Sequence, residues 1–132
     1  MSEIEIWIEE AVRNGEADFR KLSSIAAAEI VRLVKSKYVK GDPRVWWLSL
    51  KAPSFAVSSV GVDFVDVVPG SLEKVYLIPE TDDERLPVYQ GGPADIDFIR
   101  RECPPFEYYV TDESFEWLVI ETDHDEFITA KY

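Results

Sequence analysis

The sequence predicts an α+β fold, in which a mostly antiparallel sheet packs with two N-terminal helices and one inserted helix. Three observations support this prediction. Apolar residues follow helical spacing over about the first forty positions, and most later segments alternate as strands do. A Gly-Gly-Pro step then introduces a short helical pattern before a closing three-stranded meander. We expect one domain over residues 1–132, because no linker or repeat divides the chain.

The N-terminal third predicts two helices. Ser2 and Glu5 match a capping box, and Asn14-Gly15 is a helix stop. A second helix is predicted from Asp18 to Tyr38, with a break at Ser23-Ser24 as the alternative. We expect the helices to lie on one face of the sheet.

The middle of the chain alternates as strands do in three places. Arg44 to Lys51 predicts the first strand, Phe55-Ala56-Val57 an edge strand, and Lys74 to Ile78 a third. The segment from Val60 to Val68 fits a short helix or a strand equally well. Two turns are expected in this region, at Pro69-Gly70 and at a charged tip from Thr81 to Arg85.

The last thirty residues predict the meander. Its strands begin at Phe106, Phe115 and Glu126, and polar turns separate them. Trp117 to Ile120 is apolar on both sides of the chain, which is typical of an inner strand covered on both faces. Before the meander, Pro93 suits the first position of the inserted helix.

Composition limits the classes of partner and compartment. The formal net charge is −12, from 26 acidic and 14 basic residues. This charge disfavours duplex DNA and anionic membranes, and is compatible with a basic protein partner. One cysteine excludes an internal disulfide, and we find neither a signal-peptide pattern nor an apolar run of about 20 residues. We therefore expect a soluble, cytoplasmic protein.

The turn from Glu121 to Asp125 is the strongest candidate for chemistry. Glu121, Asp123 and His124 would be the ligands of a metal ion, or an acid–base set. The chain has one histidine, however, and aspartate is common in turns for conformational reasons. We favour a solvated turn.

Two other motifs have structural interpretations that we prefer. Cys103 falls at a predicted helix C-terminus beside Glu102, which favours a small buried side chain over a nucleophile. Arg100-Arg101 suits the helix dipole and internal ion pairs better than an anion site.

The segment from Lys74 to Ile128 resembles a family of small bacterial proteins classed as a domain of unknown function. The resemblance lies in Glu107-Tyr108-Tyr109, in Trp117-Leu118, and in the E-x-x-H-D pattern from Glu121 to Asp125. It implies a bacterial protein and brings no activity with it. Family members often carry two histidines in the last turn, where this chain has Asp123-His124. In size, charge and aromatic content the chain is also similar to immunity proteins of toxin systems.

We therefore expect a non-catalytic protein-binding module, similar to an inhibitor or immunity protein, that needs no cofactor and binds a basic partner through an acidic surface. An enzyme or metal-binding protein that uses Glu121, Asp123 and His124 is the first alternative. A structural or regulatory subunit that dimerises through an exposed strand edge is the second. The residues that we expect to contact the partner are Trp47, Glu107, Glu116, Asp123 and Asp125.

Overall fold

The computed structural model describes residues 1–69, 74–81 and 83–131, and it confirms the α+β class. Within these residues three α-helices accompany seven strands of one antiparallel sheet. The helices are α1 (Glu3–Arg13), α2 (Ser24–Tyr38) and α3 (Pro93–Glu102). The strands are β1 (Arg20–Lys21), β2 (Ser54–Ser58), β3 (Val75–Pro79), β4 (Tyr89–Gly91), β5 (Tyr108–Asp112), β6 (Trp117–Glu121) and β7 (Glu126–Lys131).

The strands follow the order β1-β4-β3-β5-β6-β7-β2, and each neighbouring pair is antiparallel. β5, β6 and β7 lie side by side, and β2 pairs with the far side of β7. The run from Trp117 to Ile120 is buried throughout. Trp117 and Val119 belong to one core cluster, whereas the residues between and after them belong to the other. The prediction of an inner strand is confirmed.

Both faces of the sheet are covered, so the expectation of helices on one face is wrong. α1, α3 and a 3₁₀ helix at Phe64–Asp66 cover one face, and α2 with a 3₁₀ helix at Trp46–Leu48 covers the other. The inner strands present apolar side chains on both sides, and each side needs its own cover. We name the covers the α1/α3 layer (residues 1–18, 59–69 and 93–106) and the α2 layer (residues 23–53).

The N-terminal capping box is confirmed, but the predicted start of the second helix is wrong. The Ser2 hydroxyl accepts the Glu5 N–H at 3.2 Å, and the Glu5 carboxylate accepts the Ser2 N–H at 2.7 Å. The segment after residue 18 instead forms β1, and α2 begins at Ser24 after the N-cap Ser23. Ser23 fixes this start because its hydroxyl accepts the Ala26 N–H at 3.2 Å.

The predicted strand from Arg44 to Lys51 is also wrong, because its centre is the 3₁₀ helix Trp46–Leu48. A strand would point the two adjacent tryptophans to opposite sides. Here Trp46 stacks on Tyr109 with ring centroids 4.1 Å apart, and the Trp47 indole N–H donates to Glu107. Both indoles therefore contact β5 or the residue before it.

The remaining expectations have mixed outcomes. The edge strand at Phe55-Ala56-Val57 is confirmed as β2, and Pro93 is the first residue of α3. The ambiguous segment from Val60 to Val68 holds the 3₁₀ helix. In the two predicted turns, Gly70 and Asp82 lie outside the described residues. Among the described helices, none has the length and apolar character that crossing a bilayer requires.

Candidate functional site: an acidic cleft at the β6–β7 turn

Six of the seven predicted site residues meet at one end of the sheet. β6 ends at Glu121, β5 begins opposite it at Tyr108, and the β6–β7 turn follows. Glu116 is the exception, because it lies at the other end of β6, where its N–H donates to the Asp112 carboxylate at 2.7 Å. The six residues that meet are Trp47, Glu107, Glu121, Asp123, His124 and Asp125.

A cleft of about 210 Å³ opens here between the C-terminal end of α3 and the β6–β7 turn. Asp123 and Asp125 are exposed and line its outer part. Partly buried Arg100 and Glu121 and buried Tyr108 line it as well, and the other walls are largely apolar. We name this feature the acidic cleft. It is open to solvent on a carboxylate-rich side, which suits contact with a cationic group.

Arg100 is the centre of a partly buried ionic network beside the cleft. Its Nε donates to Glu121 at 2.9 Å, and its guanidinium also donates to Asp97 at 3.0 Å. Further bonds reach the backbone carbonyls of Val62 at 2.8 Å and Ser59 at 3.3 Å. Burial alone would lower the pKa of Arg100, but the carboxylates outweigh it and raise the pKa. The expected internal ion pairs of Arg100 are present.

The same network fixes the 3₁₀ helix of the α1/α3 layer. The Asp97 carboxylate accepts the N–H groups of Phe64 at 2.7 Å and Val65 at 3.1 Å. The Tyr108 hydroxyl donates to Glu121 at 2.6 Å, and burial with the charge of Glu121 raises the Tyr108 pKa well above its ordinary value. The Glu121 carboxylate is therefore occupied by donors from Arg100 and Tyr108.

Glu107 joins the β6–β7 turn to the α2 layer. Its carboxylate accepts the Trp47 indole N–H at 3.2 Å and the Asp123 backbone N–H at 3.3 Å. The His124 ring packs edge-on against Trp47 at 5.8 Å between centroids. Burial raises the Glu107 pKa, although these two hydrogen bonds and the charge of His124 oppose the shift. The arrangement holds the turn in place and leaves its tip exposed.

The turn itself has three exposed polar side chains, Asp123, His124 and Asp125, and one unusual backbone conformation. His124 Nε2 lies 3.6 Å from the Asp123 carboxylate. Asp125 has a φ of 57°, which aspartate tolerates better than most residues, and its carbonyl accepts the Ser59 N–H at 2.9 Å. Over the described residues, no group of three or more His, Cys, Asp or Glu side chains is placed to hold a metal ion. Glu121 bonds Arg100 and Tyr108, whereas His124 packs on Trp47.

Cys103 lines the acidic cleft but has the environment of a packing residue. It is half-buried and packs against the core beneath α1 and α3. Burial raises the pKa of its thiol, and the charges of Glu102 and Glu10 raise it further. A thiol held protonated in this way is a poor nucleophile at neutral pH.

Charge is divided between the two layers that cover the sheet. The α1/α3 layer carries eleven acidic and three basic residues, a formal charge of −8, whereas the α2 layer carries two acidic and six basic residues, a formal charge of +4. The acids are Glu3, Glu5, Glu9, Glu10, Glu16, Asp18, Asp63, Asp66, Asp95, Asp97 and Glu102, and the bases of the α2 layer are Arg32, Lys35, Lys37, Lys40, Arg44 and Lys51. Of the two covering layers, the acidic one is therefore the α1/α3 layer, whose α3 forms one wall of the acidic cleft. The residues outside both layers carry a further −8.

A larger cleft of about 1310 Å³, which no sequence motif predicted, lies on the α2 side of the sheet. It lies between α2 and the segment 83–87, and its lining includes Arg32, Lys35 and Arg85 together with apolar residues of α2. Arg32 pairs with Glu29 at 2.6 Å, and Lys35 pairs with Asp42. Arg32 and Lys35 are three residues apart and so lie on one face of the helix, and this spacing is the sequence feature that points to the cleft. Because Arg32 and Lys35 are paired with carboxylates and acidic residues also line the cleft, it has no clear preference for an anion.

Comparisons with known proteins leave the family open. No family model matches the chain, no curated protein matches it, and no solved structure matches it. The resemblance carried by Glu107-Tyr108-Tyr109 and by the turn from Glu121 to Asp125 stays a prediction.

Proposed function

We propose that the protein is a non-catalytic, cytoplasmic protein-binding module of the inhibitor or immunity type, and that it binds a basic protein partner. The observation that carries the proposal is the division of charge, with −8 on the α1/α3 layer and +4 on the α2 layer. A surface of one sign attracts and orients a partner of the other sign before contact. The partner would therefore approach the α1/α3 layer.

The acidic cleft supplies the contact point in this proposal. Asp123 and Asp125 are exposed on a turn that Glu107 and Trp47 hold in place, so presenting them to a partner needs little ordering. The cleft between them and α3 has room for a lysine or arginine side chain, and its apolar walls suit the aliphatic part of either. Glu102 adds a further exposed carboxylate at the end of α3.

A metal or acid–base role for Glu121, Asp123 and His124 is the alternative. The contacts of Glu121 support the binding proposal over it, because this carboxylate already accepts hydrogen bonds from Arg100 and Tyr108. Calorimetric titration with Zn²⁺ tests the alternative directly. Saturable binding that Asp123→Asn and His124→Ala both abolish would favour it.

The proposal is tested by capture of the tagged protein's partners from bacterial lysate, with elution by rising salt. We expect one basic protein that survives moderate salt. The variant Glu102→Gln/Asp123→Asn should lower the salt concentration of its elution. The matched control Asp83→Asn/Glu84→Gln removes the same two charges from the opposite side and should leave elution unchanged. The variant Glu116→Gln tests whether the predicted contact at the far end of β6 contributes to partner binding.

Two results would overturn the proposal. One is capture without any specific basic protein. The other is an equal shift in elution for both double variants, because that result would mean that overall charge and not the acidic cleft governs binding.

A further inference from the structure

We propose that two copies of this chain associate through β2, in an antiparallel pair that continues the sheet across a two-fold axis. The proposal is independent of the acidic cleft, and it depends on four features of β2. These are its exposure, the direction of its free backbone groups, the symmetry of its sequence, and the charges at its two ends.

β2 is an unprotected edge strand. It is the last strand of the sheet, and all five of its residues are exposed, with Phe55 at 62% and Val57 at 42%. Natural edge strands are usually short, charged or interrupted, since a free edge attracts other strands. The opposite edge follows this rule, because β1 has two residues and both are charged, Arg20 and Lys21. Within β2 there is neither a charge nor a proline.

The free backbone groups of β2 face outward at its even-numbered positions. Lys131 donates its N–H to the Pro53 carbonyl at 3.1 Å, and the Ser59 N–H donates to the Asp125 carbonyl at 2.9 Å. Because bonding alternates along an antiparallel strand, the odd-numbered residues face β7. Ser54, Ala56 and Ser58 therefore turn their N–H and C=O groups to the free edge. Pro53 does not interrupt this row, because its carbonyl points to β7.

The sequence Ser-Phe-Ala-Val-Ser is nearly symmetric about Ala56. When Ala56 of one copy faces Ala56 of the other, all three outward-facing residues form hydrogen-bonded pairs. Phe55 then faces Val57 of the second copy in a non-hydrogen-bonded pair, where side chains approach most closely. An aromatic residue opposite a β-branched one stabilises such a pair. In this register Phe55 and Val57 of each copy meet Val57 and Phe55 of the other, so the same patch serves both copies in an isologous interface.

The charges beside β2 favour the antiparallel direction. Ser54 lies beside the Lys131 end of β7, and Ser58 pairs with Glu126, next to Asp125. An antiparallel pair of copies places the basic end of one beside the acidic end of the other, whereas a parallel pair would place like charges together. These charges lie on β7, one strand back from the interface, so physiological salt screens both this preference and the net repulsion between two acidic chains. The charges therefore bias the direction, while the register depends on β2 itself.

Disulfide trapping tests the register. In a Cys103→Ser background, the Cα atoms of two Ala56→Cys residues would lie about 5.5 Å apart, which is within the range of disulfides. We expect mild oxidation to yield a covalent dimer of twice 15.1 kDa. Arg20→Cys, on the protected edge at β1, is the matched control and should stay monomeric. Equal trapping at both positions, or none at Ala56, would overturn the proposal.

Sedimentation over a wide range of protein concentration tests the interface without a cross-link. The wild-type mass should rise towards the dimer, and Ala56→Pro should stay monomeric because it loses one outward N–H while both neighbouring bonds to β7 remain. Phe55→Lys should also stay monomeric, whereas Ile25→Lys, an equal change at a residue 84% exposed on α2, should dimerise like the wild type. A wild-type protein that is monomeric throughout would refute the proposal.

Discussion

Replacing Arg100 with methionine should destabilise the protein by up to about 3–5 kcal/mol, the cost of removing one partner from a fully buried ion pair, because this network is largely shielded from solvent. The Arg100, Asp97 and Glu121 side chains are 16%, 8% and 17% exposed. Methionine fills much of the space of the arginine stem but donates no hydrogen bond. The effect would thus report the loss of charge and bonding more than the loss of packing.

The hydrogen bonds that remain in the Arg100→Met variant determine which groups account for the loss of stability. Asp97 would keep the N–H groups of Phe64 and Val65, so it stays well bonded. Glu121 would keep only the Tyr108 hydroxyl among the contacts described here. The carbonyls of Val62 and Ser59 would lose a charged donor. We therefore expect most of the cost at Glu121, and faster amide exchange in residues 59–66.

Urea unfolding followed by tryptophan fluorescence measures the change, since the chain has four tryptophans. Arg101→Met is the matched control, because Arg101 is exposed and its guanidinium lies 5.9 Å from the Phe98 ring. It should change stability by no more than about 0.5 kcal/mol. Adding Glu121→Gln to Arg100→Met should recover part of the loss, with a coupling of about 0.5–3 kcal/mol. Equal stability of Arg100→Met and Arg101→Met would refute the reasoning.

Three further changes test other parts of the structure. Ser2→Ala should cost about 1 kcal/mol in urea unfolding through loss of the N-cap, and an unchanged midpoint would contradict the capping box. Gly91→Ala should lower the free energy of unfolding by about 1–3 kcal/mol, because its Cβ would lie 2.5 Å from Phe19 Cδ1 and 3.0 Å from the Asp18 carbonyl oxygen. A stabilised variant would show that both groups can shift to make room. The raised pKa of Glu107 means that the folded protein binds this proton more tightly, so its contribution to stability is lost as pH rises from the ordinary 4.5 through the raised value. Glu107→Gln should remove that loss, and parallel stability–pH curves for variant and wild type would count against it.

The parts of the fold that the sequence predicted are those with local causes. The capping box of Ser2 and Glu5 involves residues within one helical turn, and the burial of Trp117 to Ile120 follows from their own apolar character. The misplaced start of α2 has both a local and a distant cause. Ser23 caps the helix locally, and Arg20 before it pairs with Gln90 of the neighbouring strand β4. No pattern near Arg20 reveals that partner.

In the candidate site, too, the features with local causes were predictable from the sequence and those with distant causes were not. Asp123 and Asp125 were found as polar residues of a turn, which is a local signal. The ionic network around Arg100 was not predicted in detail, because its acceptors come from α3, from β6 and from residues 59–62. Only the folded sheet brings those segments together.

The strand order has a consequence for how the chain folds. β1 and β2 come first in the sequence, but they occupy opposite edges of a sheet whose other five strands come later. The two cannot pair with each other, and β2 pairs with β7, so that Ser54 faces Ala130. The apolar segments in the early half of the chain therefore stay exposed to solvent until the strands of the later half have formed. Such non-local pairing predicts folding over milliseconds to seconds and a need for protection from aggregation during synthesis.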